Sequence, residues 1–202
     1  MKQERCSAPV GRPRAFDADE ALERALQVFW QKGYEGTSLS DLTEAMGINR
    51  PSLYATFGNK ETLFRKALDR YMTGPAAHVY AALTQPTARE AVEQLLRGTV
   101  DSLSDPCRPR GCLMVQGALC SGDEAAPIRQ ELVARRAASQ ELLKRRFEQA
   151  QQDGDLPADF SADDLARYIA TVIQGLGVQA VGDVSREELL RVVETAMLAW
   201  PA

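Results

Sequence analysis

The octapeptide RPSLYATF at 50–57 gathers side chains that can address a nucleic acid. Leu53 and Phe57, one helical turn apart, would face a core together with Leu39, Leu42 and Met46. That leaves Arg50, Pro51, Ser52, Tyr54, Ala55 and Thr56 on the other faces. An arginine forks onto guanine or a phosphate, serine and threonine hydroxyls bond either, and a tyrosine hydroxyl reaches a phosphate. Arg50, Ser52 and Thr56 are therefore the expected base contacts, and Tyr54 an expected phosphate contact.

Those groups can read DNA only from a short helix held at a defined angle, and the flanking residues supply the means. Ser40, ahead of Asp41 and Leu42, is the expected N-cap of a preceding helix that Gly47 ends, Pro51 suits a first turn, and Gly58 stops the second helix. Leu22, Ala25, Leu26 and Phe29 recur at i, i+3, i+4 and i+7 on one side, and Phe64, Ala67, Leu68 and Tyr71 on the other, so two longer amphipathic helices flank the pair. Short helix, glycine turn and short helix make a helix-turn-helix, whose second helix enters the major groove. Taken alone, the pair also fits two helices packed inside an all-α bundle.

Helical periodicity continues to the end of the chain. Helices are expected at about 87–104, 110–121, 125–153, 161–181 and 185–200, with breaks at Gly74-Pro75, Gln85-Pro86, Asp105-Pro106, Gly122, Asp153-Gly154 and Gly182. There is no useful β alternation, internal repeat or low-complexity segment. With 202 residues, 45% of them hydrophobic, the chain can bury a real core. Four cysteines lack the spacing of a disulfide framework and the N-terminus lacks an apolar leader, which points to the cytoplasm. The longest apolar stretch, YIATVIQGLGVQAVG, is shorter than the roughly 18 residues of a membrane span.

Net charge is −4, but residues 1–74 carry +1 and residues 75–202 carry −5, with +3 in the first 14 alone. Positive charge thus sits at the front, where a nucleic acid can use it. In GRPRAF, Pro13 holds the chain extended and Arg12 and Arg14 suit a narrow minor groove, much as in AT-hook peptides; a merely solubilising tail is the alternative.

The block ALQVFWQKGYEGTSLSDLTEAMGINRPSLYATFGNKETLFRKAL resembles the DNA-binding domain of the tetracycline-repressor (TetR) family, through Gly33-Tyr34, Thr37-Ser38, Leu42, Gly47, Leu53-Tyr54, Phe57, Lys60-Glu61 and Leu63. Thr56, and Asn59 where serine is usual, depart from the family pattern. The resemblance implies an all-α protein: a basic arm over 1–14, a helix-turn-helix domain over 15–62, and a ligand-binding and dimerisation bundle over 63–202. It further implies double-stranded operator DNA as partner, a small-molecule effector, and phosphate contacts from Thr37, Ser38, Tyr54 and Lys60. Lys60 would open a helix, where the N-terminus also favours an anion.

In the C-terminal part, the helix at 161–181 is apolar around most of its circumference, and Leu189, Val193, Ala196, Met197 and Trp200 form one stripe on the next. These two helices are expected to pair with their symmetry mates in a homodimer. Tyr80, Leu83, Leu103, Met114, Phe147 and Tyr168 are candidate pocket residues. GLGVQA at 175–180 matches a dinucleotide fingerprint only formally, since Leu165, Ile169, Val172, Ile173 and Leu176 carry a helical stripe into it; close helix packing at Gly175, Gly177 and Ala180 accounts for it better. One histidine and irregular cysteines argue against a metal, and no catalytic constellation supports an enzyme or calls for a cofactor. Cys107 and Cys112, near Arg108 and Arg110 in SDPCRPRGCLMV, make a redox- or electrophile-sensing repressor the alternative to reversible ligand control.

Overall fold

The computed structural model describes residues 16–118, 122–182 and 184–201. Arg12 and Arg14 of the arm lie outside the described residues. Among those described, regular structure is entirely helical: α1 (Ala18–Lys32), α2 (Leu39–Met46), α3 (Arg50–Phe57), α4 (Lys60–Thr73), α5 (His78–Leu83), α6 (Ala88–Leu103), α7 (Leu113–Gln116), α8 (Ala126–Gln152), α9 (Ala162–Gln179) and α10 (Arg186–Leu198), with one 3-10 turn at Asp123–Ala125 before α8.

Two hydrophobic cores organise them. The first joins α1 to α4 through Leu26, Phe29, Trp30, Leu42, Leu53, Phe57 and Phe64, and it also takes in Leu113, Met114, Ile128 and Leu132 from later in the chain. Edge-to-face pairs of Phe29 with Phe64, 4.9 Å between centroids, and of Trp30 with Tyr71, 4.8 Å, lock α1 to α4. Each such pair adds about 0.5–1.5 kcal/mol beyond burial. The second core joins α6, the C-terminal half of α8, α9 and α10. Helix α8 thus belongs to both cores, its first turns to one and Leu143, Phe147 and Ala150 to the other.

The segment 111–117 lies where the two cores meet. Gly111 has φ +81°, a left-handed conformation that stops a helix from starting at residue 110, so the long helix expected there contracts to α7. Trp30 Nε1 donates to the Gly111 carbonyl at 2.9 Å, and the Tyr34 amide donates to the Gly117 carbonyl at 2.8 Å. Gly33 (φ +69°) turns the chain so closely over α7 that a Cβ there would stand 3.2 Å from the Gly117 oxygen. On the opposite side, Gly177 of α9 passes so near that a Cβ would meet that of Cys112 at 3.0 Å.

Two expectations change. The stripe Leu189, Val193, Ala196, Met197 and Trp200 is buried within the chain, with Trp200 against Phe147, because α10 turns that face onto α6 and α8. Helix α5 was not anticipated: it is six residues long and has no side-chain cap. Its His78 packs on Gly98 of α6 and reaches Thr99 Oγ1 with Nε2 at 3.2 Å.

Replacing Trp30 by Phe keeps the ring packing but leaves the buried Gly111 carbonyl without its donor; urea denaturation should show a loss of about 1–3 kcal/mol. Burial holds the His78 pKa below its ordinary 6.5, against the Pro75 carbonyl, which raises it. The stability that neutral His78 contributes is complete above that value and is lost as pH falls toward the lower folded value. Thermal midpoints should therefore drop below pH 6.5 in the wild type and drop less in His78→Gln; parallel profiles would exclude this role.

Candidate nucleic-acid interface and internal cavity

Both short helices of the head are fixed by caps rather than by length. Ser38, not Ser40, caps α2: its Oγ accepts from the Asp41 amide at 3.0 Å, and Asp41 Oδ2 accepts in return from the Ser38 amide at 2.8 Å, completing a capping box. Lys32 Nζ sits 2.7 Å from Asp41 Oδ1, and this bond, with those from Ser38, holds the Asp41 carboxyl well below the usual carboxylate range. Gly47 ends α2 in the left-handed region at φ +67°. Asn49 Oδ1 caps α3 by accepting from the Ser52 amide at 2.9 Å, with Pro51 in the first turn. Asn59 caps α4 in the same way, accepting from the Thr62 amide at 2.8 Å, so this departure from the family pattern keeps the cap.

Helix α3 buries Leu53 and Phe57 and leaves Arg50, Pro51, Tyr54 and Thr56 exposed, with Ser52 half-buried. Tyr54 is 49% exposed, unusual for an aromatic residue of a small head. Arg50 Nη2 donates to Ser40 Oγ at 3.1 Å, stapling α3 to α2. Lys60, first residue of α4, lies 4.4 Å from the centroid of the Tyr34 ring; burial lowers its pKa, and Glu35 and Asp41 counteract this. Ser38 is exposed.

Thr37 behaves differently from the expectation. It is 1% exposed and its hydroxyl donates to the Gly33 carbonyl at 2.6 Å, closing the C-terminus of α1, so its side chain is committed inward. The sequence also gave no sign of Lys66, whose Nζ reaches the Thr56 carbonyl at 3.4 Å and lies over the Phe57 ring. That contact crosses the α3–α4 turn, which no helical repeat reports.

A cavity of about 120 Å³ opens among α4 to α9. Leu83, Leu103 and Met114 line it as expected. Three candidates lie elsewhere: Phe147 is buried in the second core, Tyr80 is 52% exposed, and Tyr168, 40% exposed, flanks an outer groove between α9 and α10. Their aromatic character marked them, but α5 and α9 turn the two tyrosines outward. Cys112 is half-buried in the cavity wall, and the Tyr71 hydroxyl donates to its Sγ at 3.4 Å. Burial, then the neighbouring Cys112, pushes the Tyr71 pKa well up. Cys107 is exposed on the connection before α7. Arg108 pairs with Asp105 at 3.0 Å and Arg110 donates to the Gly182 carbonyl at 2.8 Å, so both guanidinium groups bond oxygen partners. Gly175 and Gly177 fall inside α9, where no strand precedes them. Among the described residues no three potential metal ligands cluster, and no helix is long and apolar enough to cross a membrane.

Known proteins share this arrangement. Residues 21–67 match the family model described as bacterial regulatory proteins, tetR family, and residues 86–196 match the tetracyclin repressor-like C-terminal domain. The HTH-type transcriptional repressor ComR of Escherichia coli (strain K12) is 35% identical over 193 residues, 95% of this chain and 92% of the relative. The repressor BdcR of the same strain is 28% identical over 94% of this chain and 91% of its own length. Among solved structures, a cysteine mutant of the TetR family transcriptional regulator CifR, complexed with 26-bp double-strand operator DNA, is 50% identical with a TM-score of 0.90, covering 94% of this chain and 100% of that one. Head, bundle and near-full-length relatives agree: the chain belongs to the TetR family of bacterial transcriptional regulators and is not an enzyme.

Proposed function

We propose that this protein is a homodimeric repressor that binds a palindromic operator through α3 and leaves it when a small molecule occupies the cavity. The observation that carries this reading is the double role of segment 111–117. Cys112, Met114 and Val115 line the cavity, while the Gly111 and Gly117 carbonyls hold Trp30 and Tyr34 of the head. A ligand bound better by the arrangement with the wrong head spacing shifts the population away from the DNA-bound state. Helix α4 spans the boundary between the reading domain over 15–62 and the sensing domain over 63–202. It is tied to α8 by Asp69–Arg135 at 2.8 Å and Arg65–Glu131 at 3.7 Å.

For dimerisation, the α10 stripe buried in the chain is set aside in favour of the outer faces of α9 and α10. Tyr168, Gly175 and Val178 lie along one exposed face of α9, and Val192 and Leu198, the latter 87% exposed, along α10. No atom stands within 4 Å of a Cβ placed on Gly175, which leaves room for a second helix. Pairing of these faces sets two copies of α3 apart on one side of a DNA duplex, and it accounts for apolar side chains otherwise left in water. In the cytoplasm, where such DNA lies, Ser38, Tyr54 and Lys60 would hold phosphates, Arg50, Ser52 and Thr56 would read bases, and the arm with Arg12 and Arg14 would add minor-groove contacts. Thr37 contributes only by fixing the joint before α2.

Selection of bound DNA from a random pool should return a palindrome with half-sites about one helical turn or more apart; full-affinity binding of a monomer to one half-site would contradict the reading. Tyr54→Phe and Lys60→Ala should weaken binding almost equally on all sequences, whereas Arg50→Ala should relax preference at particular base pairs, at about 1–3 kcal/mol each.

A second reading, covalent sensing, is favoured by the placement of Cys112 in the cavity wall beside the Tyr71 hydroxyl. The Cys112 sulfur would add to the β-carbon of an α,β-unsaturated carbonyl, and the thiol proton would pass to the α-carbon. Operator binding should then fall on exposure to such an electrophile, equally in wild type and Cys107→Ser, and persist in Cys112→Ser. Unchanged binding with both thiols demonstrably modified would remove this mechanism.

A further inference from the structure

The inward stripe of α8 reads Ile128 and Leu132, then Leu143, Phe147 and Ala150, all buried. Between Leu132 and Leu143 the helical repeat calls for apolar residues at 136 and at 139 or 140, yet the chain places Arg136, Ser139 and Gln140 there. All three line the cavity. The polar interruption of the stripe therefore coincides with the stretch of α8 that faces the cavity.

A guanidinium on a core-facing stripe is costly unless something compensates it. Arg136 Nη1 donates to the Met114 carbonyl at 2.6 Å, but among the described residues no carboxylate pairs with it, and no acidic residue lines the cavity. An arginine carries five N–H donors, so most of its capacity is unused. The cavity hydroxyls are already engaged: Thr99 donates to the Leu95 carbonyl, Ser102 to that of Pro75 and Ser139 to that of Arg135. Gln140 and Gln174, both half-buried, line the cavity as well.

We infer that the cavity binds a small amphiphilic monoanion, an apolar body ending in a carboxylate held by Arg136 with the amides of Gln140 and Gln174. One unpaired guanidinium and no acid set the charge at −1, and its planar fork matches a carboxylate. Most of the remaining wall is apolar, from Leu83, Leu95, Leu103, Leu143 and Ile173. A volume of 120 Å³ against the 10–15 Å³ that one water requires corresponds to about ten non-hydrogen atoms. This inference rests on the proposal that the cavity takes an effector. It also supplies a route outward, since Arg136 would join the bound carboxylate to the Met114 carbonyl of α7, and the adjacent Arg135 holds Asp69 of α4.

Calorimetric titration of the full chain with octanoate, octan-1-ol and octylamine tests it. Octanoate should bind about tenfold or more tightly than octanol, and Arg136→Met should remove that advantage while leaving octanol binding unchanged, which also reports an intact cavity. Arg136→Lys should retain part of the advantage, and Gln140→Leu should reduce it. Failure of octanoate to bind, equal binding by Arg136→Met, or equal binding of octylamine overturns the inference. The same ligands applied to the operator complex separate the two proposals. Octanoate that binds through Arg136 without releasing DNA keeps the site and removes the effector reading. Release by octanol that ignores Arg136, with no octanoate advantage, keeps the effector reading and removes the site.

Discussion

Two backbone carbonyls, those of Gly111 and Gly117, tie the N-terminal head to the segment that lies between the two cores. Both bonds come from α1 and the turn after it, and both are accepted by one seven-residue segment that also walls the cavity. Gly33 lies against Gly117 and Gly177 against Cys112, where an added Cβ would stand 3.2 Å and 3.0 Å from its neighbour, so α7 is packed tightly between the head and α9. Close packing makes such contacts switch between discrete arrangements rather than yield smoothly.

The short helices of the head are over-determined. Eight-residue helices are unstable in isolation, yet α2 and α3 each have a side-chain cap, a glycine stop and buried apolar residues in the first core. Arg50 binds Ser40 of α2 and Lys66 of α4 reaches the Thr56 carbonyl, so α3 is tied to α2 and α4, while Lys32 and Asp41 tie α1 to α2. In the proposed mechanism, motion at the junction would reorient α3 as a body. Inverting a 99:1 population requires a ligand that prefers one state about 10⁴-fold, and a buried charge-assisted contact with apolar burial around it can supply much of that preference.

Local chemistry was legible in the sequence, and orientation was not. Gly47, Pro51 and Gly58 declared α3 because their backbone requirements are intrinsic, and Leu53 with Phe57 declared its inner face. Ser40 reads as the cap of α2 because it directly precedes Asp41, but the reciprocal bonds of Asp41 place the cap at Ser38. Thr37 looked like a surface hydroxyl because burial against Gly33 depends on a turn that no periodicity records. The α10 stripe was legible as apolar, but a repeat does not say which neighbour covers a face; α6 and α8 of the same chain cover this one. Arg136 and Gln140 were visible as breaks in an apolar stripe, but their meaning required the cavity opposite them.

Linkage between the two ends is reciprocal: whatever the cavity does to DNA affinity, DNA must do to the cavity segment. Amide hydrogen exchange on the free protein and on its operator complex measures this directly. DNA binding at α3 should change protection of the Tyr34 amide, of α7 and of the Leu132–Gln140 stretch of α8 together, although none of these faces the proposed DNA surface. Changes confined to α2, α3 and the start of α4, with Tyr34 and α7 unaltered, would contradict a junction through Gly111 and Gly117.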